Sequence, residues 1–202
     1  MADFYKLNFD MDMIDEAISL RKPYIYAEAC NLDELEVEGI KKGFFDRIVL
    51  KKMSIAELPN MIFYYSSLAS KRESDYLTNV KGWPIIHKKV MNKFIQDDIR
   101  GIKFYPIQLV DVCTNEINND YNLLYIENFI DAFDMEKGQY KYNEKYNMYT
   151  FIPKKTYLNR GNCDGYDIFR ADKSVSGIYV SERVKKIIEN NGYTGFKFTV
   201  QN

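Results

Sequence analysis

Residues 86–104 read IHKKVMNKFIQDDIRGIKF, and residues 180–198 read VSERVKKIIENNGYTGFKF. Laid over one another at a constant offset of 94 with no gap, they place Val90 on Val184, Phe94 on Ile188, Gly101 on Gly195, Lys103 on Lys197 and Phe104 on Phe198. An apolar triplet begins each, Pro84-Ile85-Ile86 in the first and Ile178-Tyr179-Val180 in the second. Apolar residues four apart share one helical face, and a glycine after the helix lets the chain turn into the next strand. Each segment therefore reads as strand, helix, Gly turn, strand. We expect a duplicated strand-helix-strand unit over about 84–104 and 178–198, with Val90, Phe94 and Phe104 in the same core positions as Val184, Ile188 and Phe198. Ser181 is a good N-cap for its helix and His87 a poorer one.

Working outward, Tyr24–Ala27, Phe44–Leu50 and Met61–Tyr65 are short, aromatic or β-branched runs bounded by Gly, Pro or charge, and read as strands. Phe4, Leu7 and Phe9 fit a further strand, and residues 11–20 fit one short helix. Tyr105–Asp111, Asn122–Ile126 and Met148–Ile152 are three more strand candidates, with a hairpin turn expected at Asn118, Asn119 and Asp120. The expected class is α+β, a mixed or antiparallel sheet with few helices. No Ser/Gly or Pro-rich linker divides the chain, so one α+β domain is expected over 1–202, with a β-rich N-terminal region (residues 1–74) packed on residues 75–202.

The 202 residues are enough for a sizeable core, and 46% hydrophobic and 15% aromatic content exclude extended disorder. Twenty-eight basic residues nearly cancel 29 acidic ones, and a net charge of −1 argues against a nucleic-acid partner. His87 is the single histidine, which excludes multi-His metal sites and two-His catalysis. Cys30, Cys113 and Cys163 match no CxxC motif and read as free thiols. The first 15 residues carry four Asp and one Lys without a signal-type apolar run, and no stretch is long and apolar enough to span a bilayer. The expected location is the cytoplasm, with no membrane partner.

Phosphate-loop, dinucleotide-binding, nucleophile-elbow and HExxH motifs are absent from the sequence. Residues Arg160 to Gly165 offer an Arg beside backbone amides, but Asn, Asp and Gly are also what a tight turn requires, and the turn is the preferred reading. A Cys/His pair would have to use His87, and Cys113 follows an apolar strand that favours burial over catalysis. Paired carboxylates, Asp10 with Asp12, Asp97 with Asp98 and Asp131 with Asp134, are read as solvated loop and helix positions. Neither catalytic residues, cofactor nor metal is assigned.

Charge is segregated along the chain. From Phe104 to Glu136 there are seven acids, Asp111, Glu116, Asp120, Glu127, Asp131, Asp134 and Glu136, and no Lys or Arg, whereas 137–202 holds 12 basic residues against 6 acidic ones. Folding can cancel this by setting acidic beside basic segments. Alternatively the seven acids form a face that attracts a basic protein partner, since charge complementarity speeds encounter. Failing that, an aromatic patch drawn from the abundant tyrosines is the better place for an interface.

From Asp75 onward the order of features resembles a bacterial polymorphic-toxin immunity family, immunity protein family eleven. The resemblance is carried by Asp75-Tyr76-Leu77 ahead of Trp83-Pro84-Ile85-Ile86, by the helix Lys88 to Phe94, and by Gly101 to Pro106. It continues through Tyr125 to Asp131 with Asp134, Asp167 to Arg170, and Ile178 to Val184 closing in Gly195-Phe196-Lys197-Phe198. Where the family commonly has Ser at the first helix start, this chain has His87. The resemblance implies a non-catalytic cytosolic antidote whose partner is a cognate protein toxin. Two other classes remain open at this level, a carboxylate- or Cys-dependent hydrolase and a small-ligand sensor.

Overall fold

The structure, a computed structural model, describes residues 3–10, 28–29, 61–65, 74–77, 84–111, 113–144, 148–152, 154–174 and 177–201. The strands expected at 24–27 and 44–50, the helix expected at 11–20, Cys30 and Trp83 lie outside the described residues. Elements in chain order are β1 (Phe4–Phe9), β2 (Glu28–Ala29), β3 (Met61–Tyr65), β4 (Tyr76–Leu77), β5 (Ile85–His87), α1 (Lys88–Gln96), β6 (Ile102–Asp111), β7 (Ile117–Asn118) and β8 (Tyr121–Ile126). They continue with β9 (Phe129–Ile130), β10 (Tyr140–Asn143), β11 (Met148–Phe151), α2 (Arg160–Cys163), β12 (Ile168–Ala171), β13 (Ile178–Ser181), α3 (Glu182–Asn190) and β14 (Phe196–Val200). This is the expected α+β class with mixed sheets and few helices.

The two aligned segments form the expected order of elements, and their local structure agrees at the same offset of 94. Helix α1 spans Lys88–Gln96 and α3 spans Glu182–Asn190, nine residues each. At the start of α3, Ser181 Oγ accepts the Val184 N–H at 3.4 Å; at the start of α1, His87 Nδ1 accepts the Lys89 N–H at 3.1 Å, so imidazole serves as the cap. Both helices end in the same way. Ile99 N–H donates to the Phe94 carbonyl and Asp98 N–H to that of Ile95, while Tyr193 N–H donates to Ile188 and Gly192 N–H to Glu189. These are paired six-to-one and five-to-two bonds around a left-handed residue, Asp98 at φ 51° and Gly192 at φ 64°. Gly101 and Gly195, at φ 74° and 88°, then turn the chain into β6 and β14.

Val90 and Phe94 are buried, as are Val184 and Ile188, but Phe104, near the start of β6, and Phe198, on the edge strand β14, are only half-buried rather than core residues. The agreement is one of local structure, not a demonstration of common descent.

By contacts the chain divides into two units, neither of them a continuous stretch. One comprises 1–8, 93–103 and 126–202; the other comprises 9–92 and 104–125. The first holds a five-stranded sheet in the order β14-β1-β13-β12-β9. Strand β1 is antiparallel to β13, with Phe4 opposite Ser181 and Leu7 opposite Ile178, and β12 is antiparallel to β13 and parallel to β9. Every residue of β12 is buried. Its core gathers Phe4, Phe133, Leu158, Cys163, Phe169 and Tyr179, with the Phe169 and Tyr179 rings stacked at 5.5 Å. A separate two-stranded sheet pairs β10 with β11.

A seven-stranded sheet runs β2-β3-β6-β8-β5-β4, with β7 paired to β6. Phe63, Ile85, Ile86, Ile107, Leu109 and Leu123 are buried in the second unit. The two helical segments share one topological feature. In each, the strand before and the strand after the helix are separated in the sheet by one other strand, β8 between β5 and β6 and β1 between β13 and β14. That intervening strand is antiparallel to the one leading into the helix.

Two sequence expectations change. The runs 102–104 and 105–111 form one ten-residue strand, because Pro106 stands at an exposed position of β6 and does not break it. The hairpin connection lies between β6 and β7, with its turn at 113–116, since Asp111 N–H donates to the Glu116 carbonyl at 2.9 Å and Val110 faces Ile117. Residues 118–120 form instead a local turn from β7 to β8, in which Asn118 Oδ1 accepts the Asp120 N–H at 2.7 Å.

Candidate functional site

Among the described residues, His87 and Cys163 have structural roles. The His87 Nδ1 that caps α1 belongs to a ring lying edge-on to Tyr121 at 5.1 Å. Cys163 is fully buried in the first unit's core, and burial pushes its thiol up to about 12, so it is not a thiolate nucleophile at neutral pH. Cys113 is exposed in the turn after β6 and not buried as the apolar strand before it suggested, because the strand ends at the interior Asp111 and the thiol falls in the turn beyond. Residues 160–163, expected as a tight turn, form the short helix α2, capped by Asn159 and held to Asp3 by Arg160 at 3.2 Å. Asp97 pairs with Lys93 at 2.9 Å and Asp98 with Arg100 at 2.6 Å.

A surface groove of about 620 Å³ runs beside α3, lined among others by Lys93, Asp97, Glu182, Arg183, Lys186 and Ile187. Its charges neutralise one another or nearby groups: Lys93 with Asp97, Lys186 with Glu182 at 3.5 Å, and Arg183 with Asp167 at 2.7 Å.

The seven acids of 104–136 have separate fates. In the second unit Asp111 is interior, 1% exposed, and its carboxylate accepts the Cys113 N–H at 2.9 Å and the Thr114 hydroxyl at 3.2 Å, so it builds the turn and presents no charge outward. Asp120 pairs with Lys88 at 3.3 Å, and Glu116 is exposed. In the first unit Glu127 pairs with Lys103 at 2.5 Å, Asp131 with Lys173, and Asp134 with Lys137 at 3.1 Å; Glu136 is exposed. Asp134 also accepts the N–H groups of Glu136 and Lys137, and these bonds to the Lys137 backbone and side chain hold its carboxyl below the usual aspartate value. Four of the seven are thus matched by lysines, three of which, Lys88, Lys103 and Lys173, sequence distance concealed.

What the sequence reading left unplaced is the surface built by β10 and β11. Register sets Tyr140 opposite Phe151 and Tyr142 opposite Tyr149, so all four rings share one face. Ring centroids lie 4.7 Å apart for Tyr142 and Tyr149, 5.3 Å for Tyr140 and Tyr149, and 5.9 Å for Tyr140 and Phe151. Phe151 meets the buried Phe133 at 4.0 Å, while Tyr140, opposite Phe151, and Tyr142 are 38% and 46% exposed. The signal was present as the period-two alternation Tyr140-Lys141-Tyr142 facing Tyr149-Thr150-Phe151.

The family model of the immunity protein family Imm11 matches residues 4–202. The chain belongs to the Imm11 immunity protein family. The Imm11 match begins at residue 4, so the N-terminal region, which carried little of the resemblance in sequence, lies within the family's extent; β1 enters the five-stranded sheet accordingly. No curated protein matches this Imm11 chain. Among the described residues no helix is long and apolar enough to cross a membrane.

Proposed function

We propose that this Imm11 chain is a non-catalytic cytoplasmic immunity protein that binds a cognate bacterial toxin and neutralises it stoichiometrically. The observation that carries the reading is the family match over nearly the whole chain. The structural roles of His87 and Cys163, one a helix cap and the other a core residue, agree with it. The acidic segment supports attraction of a basic toxin mainly through Glu116 and Glu136, because Asp111 is interior and the other four acids sit against lysines.

The test is co-expression with the C-terminal domain of a large secreted protein encoded beside the gene. Growth should be restored by this chain and the two proteins should co-purify. Rescue that works catalytically, with the antidote far below the toxin in amount, would overturn the reading in favour of an enzyme.

A further inference from the structure

We propose that Asn191 is a deamidation site whose rate is governed by the C-terminal cap of α3, the side chain staying unreactive while that cap is closed. Asparagine is among the chemically labile residues, and Asn191-Gly192 is the one Asn-Gly pair in the sequence. A glycine leaves the nitrogen that follows an asparagine unshielded and lets the chain rotate there, as the reaction requires. The Gly192 nitrogen attacks Asn191 Cγ. As the N–Cγ bond forms, the Cγ–Nδ2 bond breaks, the proton of the Gly192 nitrogen passes to the leaving group, and ammonia departs from a five-membered succinimide. Solvent water then adds to one of the two ring carbonyls, and the adjoining C–N bond opens to give aspartate or isoaspartate.

The fold opposes each of these requirements. Asn191 caps α3 at φ −93° and ψ 0°. That rotation eclipses the Gly192 nitrogen with the Asn191 backbone nitrogen, whereas ring closure needs it eclipsed with Cβ. The attacking nitrogen is engaged, since Gly192 N–H donates to the Glu189 carbonyl at 3.0 Å and Tyr193 N–H fastens the next residue to the Ile188 carbonyl at 3.2 Å. The amide under attack is held as well, Asn191 Nδ2 donating to the Ile187 carbonyl at 2.7 Å. All of these constraints lapse together when the last turn opens, and helix ends are among the first parts of a fold to do so. Asn191 is exposed, so water reaches the opened site. Conversion then weakens its own guard. A carboxylate cannot donate to the Ile187 carbonyl, and it brings negative charge to a helix C-terminus that repels it. Isoaspartate adds a backbone methylene that throws the Gly192 and Tyr193 bonds out of register. Either product also adds a negative charge to the groove that Asn191 lines with Lys186 and Ile187.

The experiment incubates the full-length chain in mildly alkaline buffer, folded and in concentrated urea, and follows the amide-to-acid mass gain of each asparagine by peptide mass spectrometry, with aspartate and isoaspartate separated by chromatography. In urea Asn191 should convert ahead of every other asparagine, and at least about tenfold faster than in the folded chain. Gly192→Ala should slow the conversion in urea, a comparison that holds whether or not that variant folds. Asn191→Asp, one of the two products, should lower the melting temperature. Equal rates in the folded and unfolded chain would show that the cap governs nothing, and earlier conversion of another asparagine in urea would show that Asn191 is not the site. An unchanged melting temperature in Asn191→Asp would overturn the role given to the amide in holding the helix end. None of these measurements involves a toxin, so the inference and the proposed function stand or fall separately.

Discussion

At the scale of single residues, the sharpest contrast lies between Asp98 and Gly192, which occupy the same place after the two helices. Both adopt a left-handed backbone, which costs a side-chain-bearing residue and not a glycine. Asp98→Gly is expected to raise the melting temperature despite loss of the exposed contact with Arg100, and Gly192→Ala to lower it. A calorimetric scan of each variant checks both signs. For the thiols, native-state alkylation read by peptide mapping should label Cys113 and spare Cys163, whose thiol is buried and pushed up to about 12. Labelling of Cys163 before global unfolding would contradict its core placement. Asp134 contributes to the acid-side pH dependence, as do Asp98 beside Arg100 and Glu182 beside Tyr5, whose carboxyls are lowered likewise. The Asp134 carboxyl titrates lower in the fold than in the unfolded chain, so its stabilisation is complete above the ordinary aspartate value near 3.8 and is lost as pH falls through the lower folded value. Asp134→Asn should therefore flatten the decline in melting temperature below about pH 4.

At the scale of elements, helices α1 and α3 each turn one apolar stripe inward, Val90 with Phe94 and Val184 with Ile188. Truncating Phe94 to Ala removes a ring 1% exposed and should cost about 3–5 kcal/mol; Ile188→Ala should cost about 2–5 kcal/mol, both read from denaturant midpoints. The caps are smaller contributors. Ser181→Ala and His87→Ala are each expected to cost about 0.5–2 kcal/mol, with the binding of a toxin unaffected. Local rules of this kind were legible because a helix and its caps depend on neighbours a few residues apart: the offset of 94 located both helices and both Gly turns. The hairpin turn was misplaced for the same reason read backwards. Asn118-Asn119-Asp120 has turn chemistry, but strand pairing chose 113–116, where the buried Asp111 carboxylate could organise the backbone.

For the whole molecule, the chain's two ends meet in one sheet, with β1 between β13 and β14. Deleting residues 1–10 would strip β13 and β14 of their shared neighbour and leave the place of Phe4 in the core empty. The truncated chain is expected to lose cooperative unfolding, checked by near-ultraviolet circular dichroism during a melt. A fragment beginning at residue 75 should fail likewise, although the motifs that first tied the chain to its family all lie after that point.

The sequence by itself determined the fold class, the two strand-helix-strand segments with their caps and turns, and the family, since these rest on composition, short-range periodicity and motif order. Only the tertiary structure decided which acids keep an outward charge and which tyrosines assemble. Lys88 reaches Asp120, Lys103 reaches Glu127 and Lys173 reaches Asp131 across 32, 24 and 42 residues of chain. Coulomb attraction depends on distance in space, and a charge count along the chain does not contain it. Tyr140, Tyr142 and Tyr149 become one surface for a like reason: strand register, set by pairing across the sheet, brings their rings to a common face.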